Sequence, residues 1–165
     1  MTHNPYPSYP GGSPEPEPQR VAPASVLNAV KLMYLGAALG AVSLVVGVLS
    51  GHAIRSAIEK AQPHASAATI NTGVGVSVAF LVVGDLIAVA LWLWMAWANK
   101  GGRRWARIVS SVLFAIDTLG AADGFARPGL AVSKVLGVAI WAVGLAAVVL
   151  LWRASSSSYF NAPRS

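Results

Sequence analysis

Long runs of apolar residues constrain this chain more than any other feature. Three of them, at about residues 26–50, 74–99 and 130–152, each hold a single charged residue and are long enough to cross a hydrocarbon core that needs about 20 apolar residues. A fourth run, at about 105–121, is less apolar because it contains two serines, a threonine and an aspartate. Only helices and closed barrels satisfy the backbone inside lipid. We therefore predict an all-α membrane protein with four transmembrane helices in a bundle.

The composition excludes a soluble domain. Only 11% of the residues are charged, against about 25% in soluble proteins, and the mean hydropathy is +0.59. The chain contains no cysteine, which excludes disulfides, thiolate metal sites and a cysteine nucleophile.

Polar segments flank the transmembrane domain, which we place at residues 25–153. Residues 1–24 are rich in proline and glycine, which predicts a disordered tail with polyproline II character. This tail is either a solvated spacer or a docking strip for a proline-recognising partner, with Pro7-Ser8-Tyr9-Pro10 as the candidate motif. Residues 154–165 form a polar C-terminal tail.

The segment between the first two spans predicts a short amphipathic helix that ends at Pro63. Its apolar residues recur with helical spacing, and Arg55 precedes Glu59 by one turn. His52 and His64 flank this segment, but they lie too far apart and lack the acidic or cysteine partners of a metal site, so we predict none.

Basic residues fix the predicted orientation. Eight lie on one side of the four spans and four on the other, and the richer side of a membrane protein is normally cytoplasmic. We therefore expect a cell-membrane protein with both termini in the cytoplasm. The eight are Arg20, Lys31, Lys100, Arg103, Arg104, Arg107, Arg153 and Arg164.

Small residues recur on one face of the first and last spans, which predicts helix packing at close range. The predicted packing positions are Gly36, Gly40, Ser43, Gly47, Gly137 and Gly144.

Asp85 is the most unusual residue of the second span. It lies about 18 Å from the start of that span at 1.5 Å per residue, where an aspartate costs several kcal/mol unless it is protonated, paired or hydrated. Either it forms an interhelical hydrogen bond, with Ser43 as a candidate, or it serves a proton or cation pathway.

Asp117 and Lys134 form a second polar candidate, because they lie at similar depth in two consecutive spans. They either form an ion pair that locks these spans together, or Lys134 extends towards the headgroups and leaves Asp117 alone.

The loop between spans two and three carries the densest basic cluster, with Lys100, Arg103, Arg104 and Arg107. We expect these residues to set the topology and to contact lipid headgroups, at about 1 kcal/mol per residue near anionic lipid. A cytoplasmic protein is an alternative partner. Nucleic acid is not expected, since no recognition helix or aromatic platform accompanies the charge.

The layout resembles a group of uncharacterised small bacterial four-span membrane proteins. They combine a proline-rich cytoplasmic N-terminal tail with a basic Gly-Arg-Arg-Trp-Ala-Arg-like loop between the second and third spans, which here is residues 102–107. The resemblance implies the topology and no established activity.

Two functions follow from these features. The first is a non-enzymatic accessory or scaffolding component of a membrane complex, which needs no cofactor and binds lipid and either a membrane-protein partner or further copies of itself. The alternative is a small oligomeric transporter or channel with Asp85 in its pathway. No triad or nucleophile motif stands at a useful spacing, so we predict no catalytic residues.

Overall fold

A computed structural model describes residues 21–126 and 131–161, which contain helices and no strand. The helices are α1 Ala24–Leu49, α2 Gly51–Ala61, α3 Ala67–Lys100, α4 Arg104–Ala126, α5 Ala131–Leu151 and α6 Ala154–Asn161. Within the described chain, α1, α3, α4 and α5 are long and apolar enough to cross a membrane. The predicted all-α class with four spanning helices is therefore confirmed, and the protein is a multi-pass membrane protein. Most of the predicted N-terminal tail lies outside the described residues.

Local sequence signals explain where the helices begin and end. Pro23 precedes α1 in an extended conformation, and Ser66 caps α3 by accepting a hydrogen bond of 3.2 Å from the amide of Thr69. Gly102 turns the chain between α3 and α4 with a φ of 64°, which favours glycine.

The predicted amphipathic helix is confirmed as α2. It packs along the first turns of α3, where Arg55 donates a hydrogen bond to Asn71 and Ile58 lies beside Gly73. The predicted proximity of Arg55 and Glu59 is also observed, as an exposed ion pair of 3.5 Å. These contacts explain why α3 begins seven residues before the second predicted span, since its first two turns face α2 rather than the hydrocarbon core.

α1 is the central helix of the bundle and packs on α3 and α5. Its glycines face large side chains of α3: an added methyl group would lie 2.9 Å from Trp92 at Gly36, 3.1 Å from Val89 at Gly40 and 2.8 Å from Leu81 at Gly47. Gly144 of α5 faces Phe114 and Trp92 in the same way, and Ser43 and Gly137 are half-buried. The predicted small-residue positions of α1 thus lie at an internal helix contact.

The buried core is concentrated at one end of the bundle. We call this the α6 end, since α6 covers it, and we call the opposite end the α2 end. The buried apolar residues are Val26, Ala29, Val30, Met33, Ala37, Met95, Ala96, Ala98, Ala106, Ala147, Leu151 and Phe160. Apart from Ala37, which lies at the middle of α1, all of them lie in the halves of their helices nearer α6 or in α6 itself. α4 packs mainly on α5 and touches α3 much less, so the seam between α3 and α4 is the loosest in the bundle.

Candidate functional site

Residues 154–161, which the sequence predicts only as part of a polar tail, form α6 and dock onto the basic loop. Arg104 holds the C-terminus of α6: its Nε donates to the carbonyl of Phe160 at 2.8 Å and its Nη2 to the carbonyl of Asn161 at 2.6 Å. The last carbonyls of a helix lack intrahelical partners and carry partial negative charge. A guanidinium therefore stabilises them both by hydrogen bonding and by its positive charge.

Arg107 binds the side of α6. Its guanidinium lies 4.1 Å above the ring of Trp152 and 5.6 Å from that of Phe160, and its Nη1 donates to the Ser157 hydroxyl at 3.0 Å. Its Nε is buried and has no hydrogen-bond partner in the described part of the chain. Arg107, which is half-buried, thus exchanges part of its hydration for aromatic rings and one hydroxyl.

The other two basic residues of the loop, Arg103 and Lys100, also contact other residues of the chain. Arg103 stacks over Trp97 at 4.2 Å, and the backbone carbonyl of Lys100 accepts a hydrogen bond of 3.2 Å from the Tyr159 hydroxyl. The Lys100 side chain is exposed. Headgroup contact by this cluster stays a prediction, and the three guanidinium groups have intramolecular roles that the sequence analysis did not foresee.

Serine hydroxyls join α6 to the start of α1. The Ser156 hydroxyl donates to the carbonyl of Leu150 at 2.7 Å and lies 2.7 Å from the Ser25 hydroxyl, which therefore acts as donor in that pair. Ser155 lies 2.9 Å from the same Ser25 oxygen. Both ends of the transmembrane domain thus meet beneath α6.

Asn99 links α3 to α4 inside the core. Its Nδ2 donates to the Ser110 hydroxyl and to the Met95 carbonyl, both at 2.9 Å, while its fully buried Oδ1 has no partner among the described residues. Asn99 is not among the predicted site residues because it ends the second apolar run, where an asparagine is expected to be exposed.

A cavity of about 260 Å³ lies between α3 and α4, with α5 and α1 behind it. Its wall is almost entirely apolar and includes two aromatic residues, Trp92 and Phe114. Two polar residues line it: Ser110, which is buried and bonded to Asn99, and Asp117, which is exposed. The cavity is partly open and lies within the membrane-spanning part of both helices.

Asp117 does not form the ion pair that was one expectation for it. Within the described chain, an ion pair within 4 Å joins Arg55 to Glu59, and none joins Asp117 to Lys134. The neighbouring Thr118 joins α4 to α5 instead, by accepting a hydrogen bond of 3.0 Å from the Trp141 indole. The Asp117 carboxylate, by contrast, lines the cavity.

Asp85 lies on the face of α3 that meets α1. Leu81 and Val89, one turn to either side of it, contact Gly47 and Gly40, which places Asp85 at the level of Ser43. The hydrogen bonds between described residues include none between Asp85 and Ser43. At 1.5 Å per residue Asp85 and Asp117 each lie about 20 Å from the turn between α3 and α4, so the bundle holds two carboxylates at similar depth.

His52 and His64 are both exposed, and no three metal-ligating side chains cluster within residues 21–126 and 131–161. No family model, curated protein or solved structure matches the chain.

Proposed function

We propose that this multi-pass membrane protein is a non-enzymatic accessory or scaffolding component that assembles in the bilayer with a further membrane-spanning helix. The supporting observation is the uncovered side of α4. Gly120 and Gly124, which we call the glycine face of α4, are exposed, and among the described residues no atom beyond α4's own local backbone lies within 4 Å of a methyl group added at either.

This face differs from the glycines of α1 and α5. Those glycines are in contact with α3 and α4 within the bundle, so they give no reason to expect a partner. Helices in lipid associate where small residues let two backbones approach closely. The glycine face of α4 offers such an approach, and of the four spanning helices α4 packs least on the others.

Crosslinking tests this proposal. The chain has no cysteine, so Gly120→Cys introduces a single thiol that can carry a photocrosslinker in native membranes. Ala38→Cys, an exposed small position on α1, is the matched control. We expect a discrete crosslinked product at Gly120 and none at Ala38, with mass analysis of the product and of the complex purified in mild detergent identifying a partner subunit or a second copy. Equal, diffuse crosslinking to lipid at both positions contradicts the proposal.

We further propose that the protein lies in the cell membrane with both termini in the cytoplasm, on the strength of the basic cluster in the turn between α3 and α4. Reporter fusions after residues 62, 101, 126 and 160 test this. We expect cytoplasmic signals at 101 and 160 and external signals at 62 and 126. An external reporter at 101 overturns the orientation.

A second candidate function is transport by a small oligomer, because two carboxylates lie at similar depth with no described partner. Asp85→Asn separates the two functions. Loss of ion or proton flux from proteoliposomes favours transport, whereas unchanged flux with altered assembly favours scaffolding.

A further inference from the structure

The cavity between α3 and α4 has the size and the chemistry of a ligand site. Its volume of about 260 Å³ is close to the lower end of small-molecule pockets, at about 300 Å³. Such pockets are mostly apolar, with a few polar groups that orient the ligand. Here the apolar wall includes Trp92, Phe114 and Met95, and the polar group that is not already used by the protein is Asp117.

Asp117 determines what the cavity accepts. Its carboxylate takes part in no hydrogen bond or ion pair with the described residues and lies at a depth where an unpaired charge costs several kcal/mol. A ligand that brings a positive charge or a strong donor relieves this cost. Trp92 and Phe114 add aromatic side chains to the wall, a residue type that attracts organic cations.

Other occupants fit these features less well. A second transmembrane helix is about 10 Å wide and cannot enter a cavity of this volume. A lipid acyl chain fits the apolar wall but brings nothing to the carboxylate. An inorganic cation needs several oxygen ligands, whereas the cavity offers one carboxylate and the Ser110 hydroxyl, which already accepts from Asn99.

We infer that this cavity binds a small lipophilic cation, an organic ammonium with an aromatic or alkyl body, which enters from the bilayer and uses Asp117 as its counter-ion. The body of the ligand lies against Trp92 and Phe114, and the ammonium lies at Asp117. This inference is independent of the proposed assembly, because the cavity is formed by α1, α3, α4 and α5 of one chain.

The test uses the full chain in nanodiscs of neutral phosphatidylcholine, so that anionic headgroups do not compete for the probe. Binding of radiolabelled benzyltrimethylammonium is measured by equilibrium dialysis, with neopentylbenzene as a neutral probe of the same shape. We expect Asp117→Asn to weaken binding of the cation about ten-fold or more, because it removes the Coulombic attraction between the carboxylate and the quaternary ammonium, and to leave binding of the neutral probe unchanged.

Two variants serve as controls. Asp85→Asn removes a carboxylate at similar depth that is not in the cavity wall, and it is expected to leave binding within about two-fold of the parent chain. Ala88→Phe fills the cavity from an exposed wall position without touching the charge, and it is expected to abolish binding of both probes.

Three results overturn the inference: equal affinity of the parent chain and Asp117→Asn for the cation, equal affinity of the parent chain for the two probes, or binding that survives Ala88→Phe. Failure of the crosslinking at Gly120 leaves these measurements unaffected, so the two proposals fail separately.

Discussion

The two ends of the bundle are built differently. At the α6 end, small buried residues bring the helices together, Asn99 joins α3 to α4, and Arg104 and Arg107 join α4 to the distant α6. At the α2 end, most of the described side chains of α3 and α4 are exposed, and α2 contacts the start of α3 and little else. The difference indicates that the protein's own buried contacts are concentrated at one end of the bundle.

This contrast separates the bonded polar groups of the α6 end from the carboxylates near the middle, while the cavity shares Met33, Met95 and Ala147 with the buried core. Polar side chains at the α6 end form hydrogen bonds or ring contacts within the chain, so their substitution should lower the stability of the fold. The carboxylates near the middle have no described partner, and the glycine face of α4 is uncovered. Substitutions there should alter binding or assembly more than stability.

Phe160→Ala is expected to have the largest effect on stability. Phe160 is 2% exposed beneath Arg104 and Arg107, so its removal leaves a cavity and loosens α6, at about 3 kcal/mol or more of the free energy of unfolding. Phe80→Ala, at a ring that is 77% exposed on the α2 side, is the matched control and should change the value by less than about 0.5 kcal/mol. Unfolding in mixed micelles measures both. Equal losses of unfolding free energy in the two variants would contradict the difference in packing between the two ends.

Glycine-to-alanine substitutions test the comparison at a packed and at an uncovered position, because the expected changes in stability differ in sign. Gly36→Ala places a methyl group 2.9 Å from the Trp92 ring and should destabilise the bundle by about 1–3 kcal/mol. Gly84→Ala meets no atom within 4 Å and gains helix propensity, so it should be neutral or stabilising by up to about 1 kcal/mol. The same unfolding assay compares them, and destabilisation of similar size at both positions would show that α1 and α3 do not pack as described.

The sequence predicts the parts of this fold that depend on hydrophobic length and periodicity. The four apolar runs predicted the spanning helices, and the spacing of Ile54 and Ile58 predicted α2. Both patterns are local, so they can be recognised without knowledge of tertiary contacts. α6 was missed because its residues, Ala154–Asn161, include four consecutive serines, which favour helix weakly; the helix depends on Arg104 and on the burial of Phe160, which are tertiary contacts.

The candidate site was predictable only in part. Asp85 and Asp117 stand out in the sequence because a carboxylate in an apolar run is costly. Only one of these two aspartates lines the cavity. Which one it is depends on the distance between α3 and α4, and no local sequence pattern encodes that distance. A large aromatic residue on one helix, Trp92, opposite small residues on others, Gly144 and Ala147, was the signal that could have located the cavity.

Arg104→Gln should have the smallest of the stability effects, because it removes only the cap of α6. The change takes away hydrogen bonds to the carbonyls of Phe160 and Asn161 and the favourable charge at that helix end, together about 1 kcal/mol. Amide hydrogen exchange within α6 should accelerate about five-fold, the factor that corresponds to this energy, while exchange in α3 stays unchanged. Arg153→Gln removes the same charge from an exposed position just before α6 and serves as the control. If both variants accelerate exchange equally, the hydrogen bonds from Arg104 do not stabilise α6 specifically. Positive charge anywhere near α6 would then have the same effect, and the buried apolar contacts would be what holds this end together.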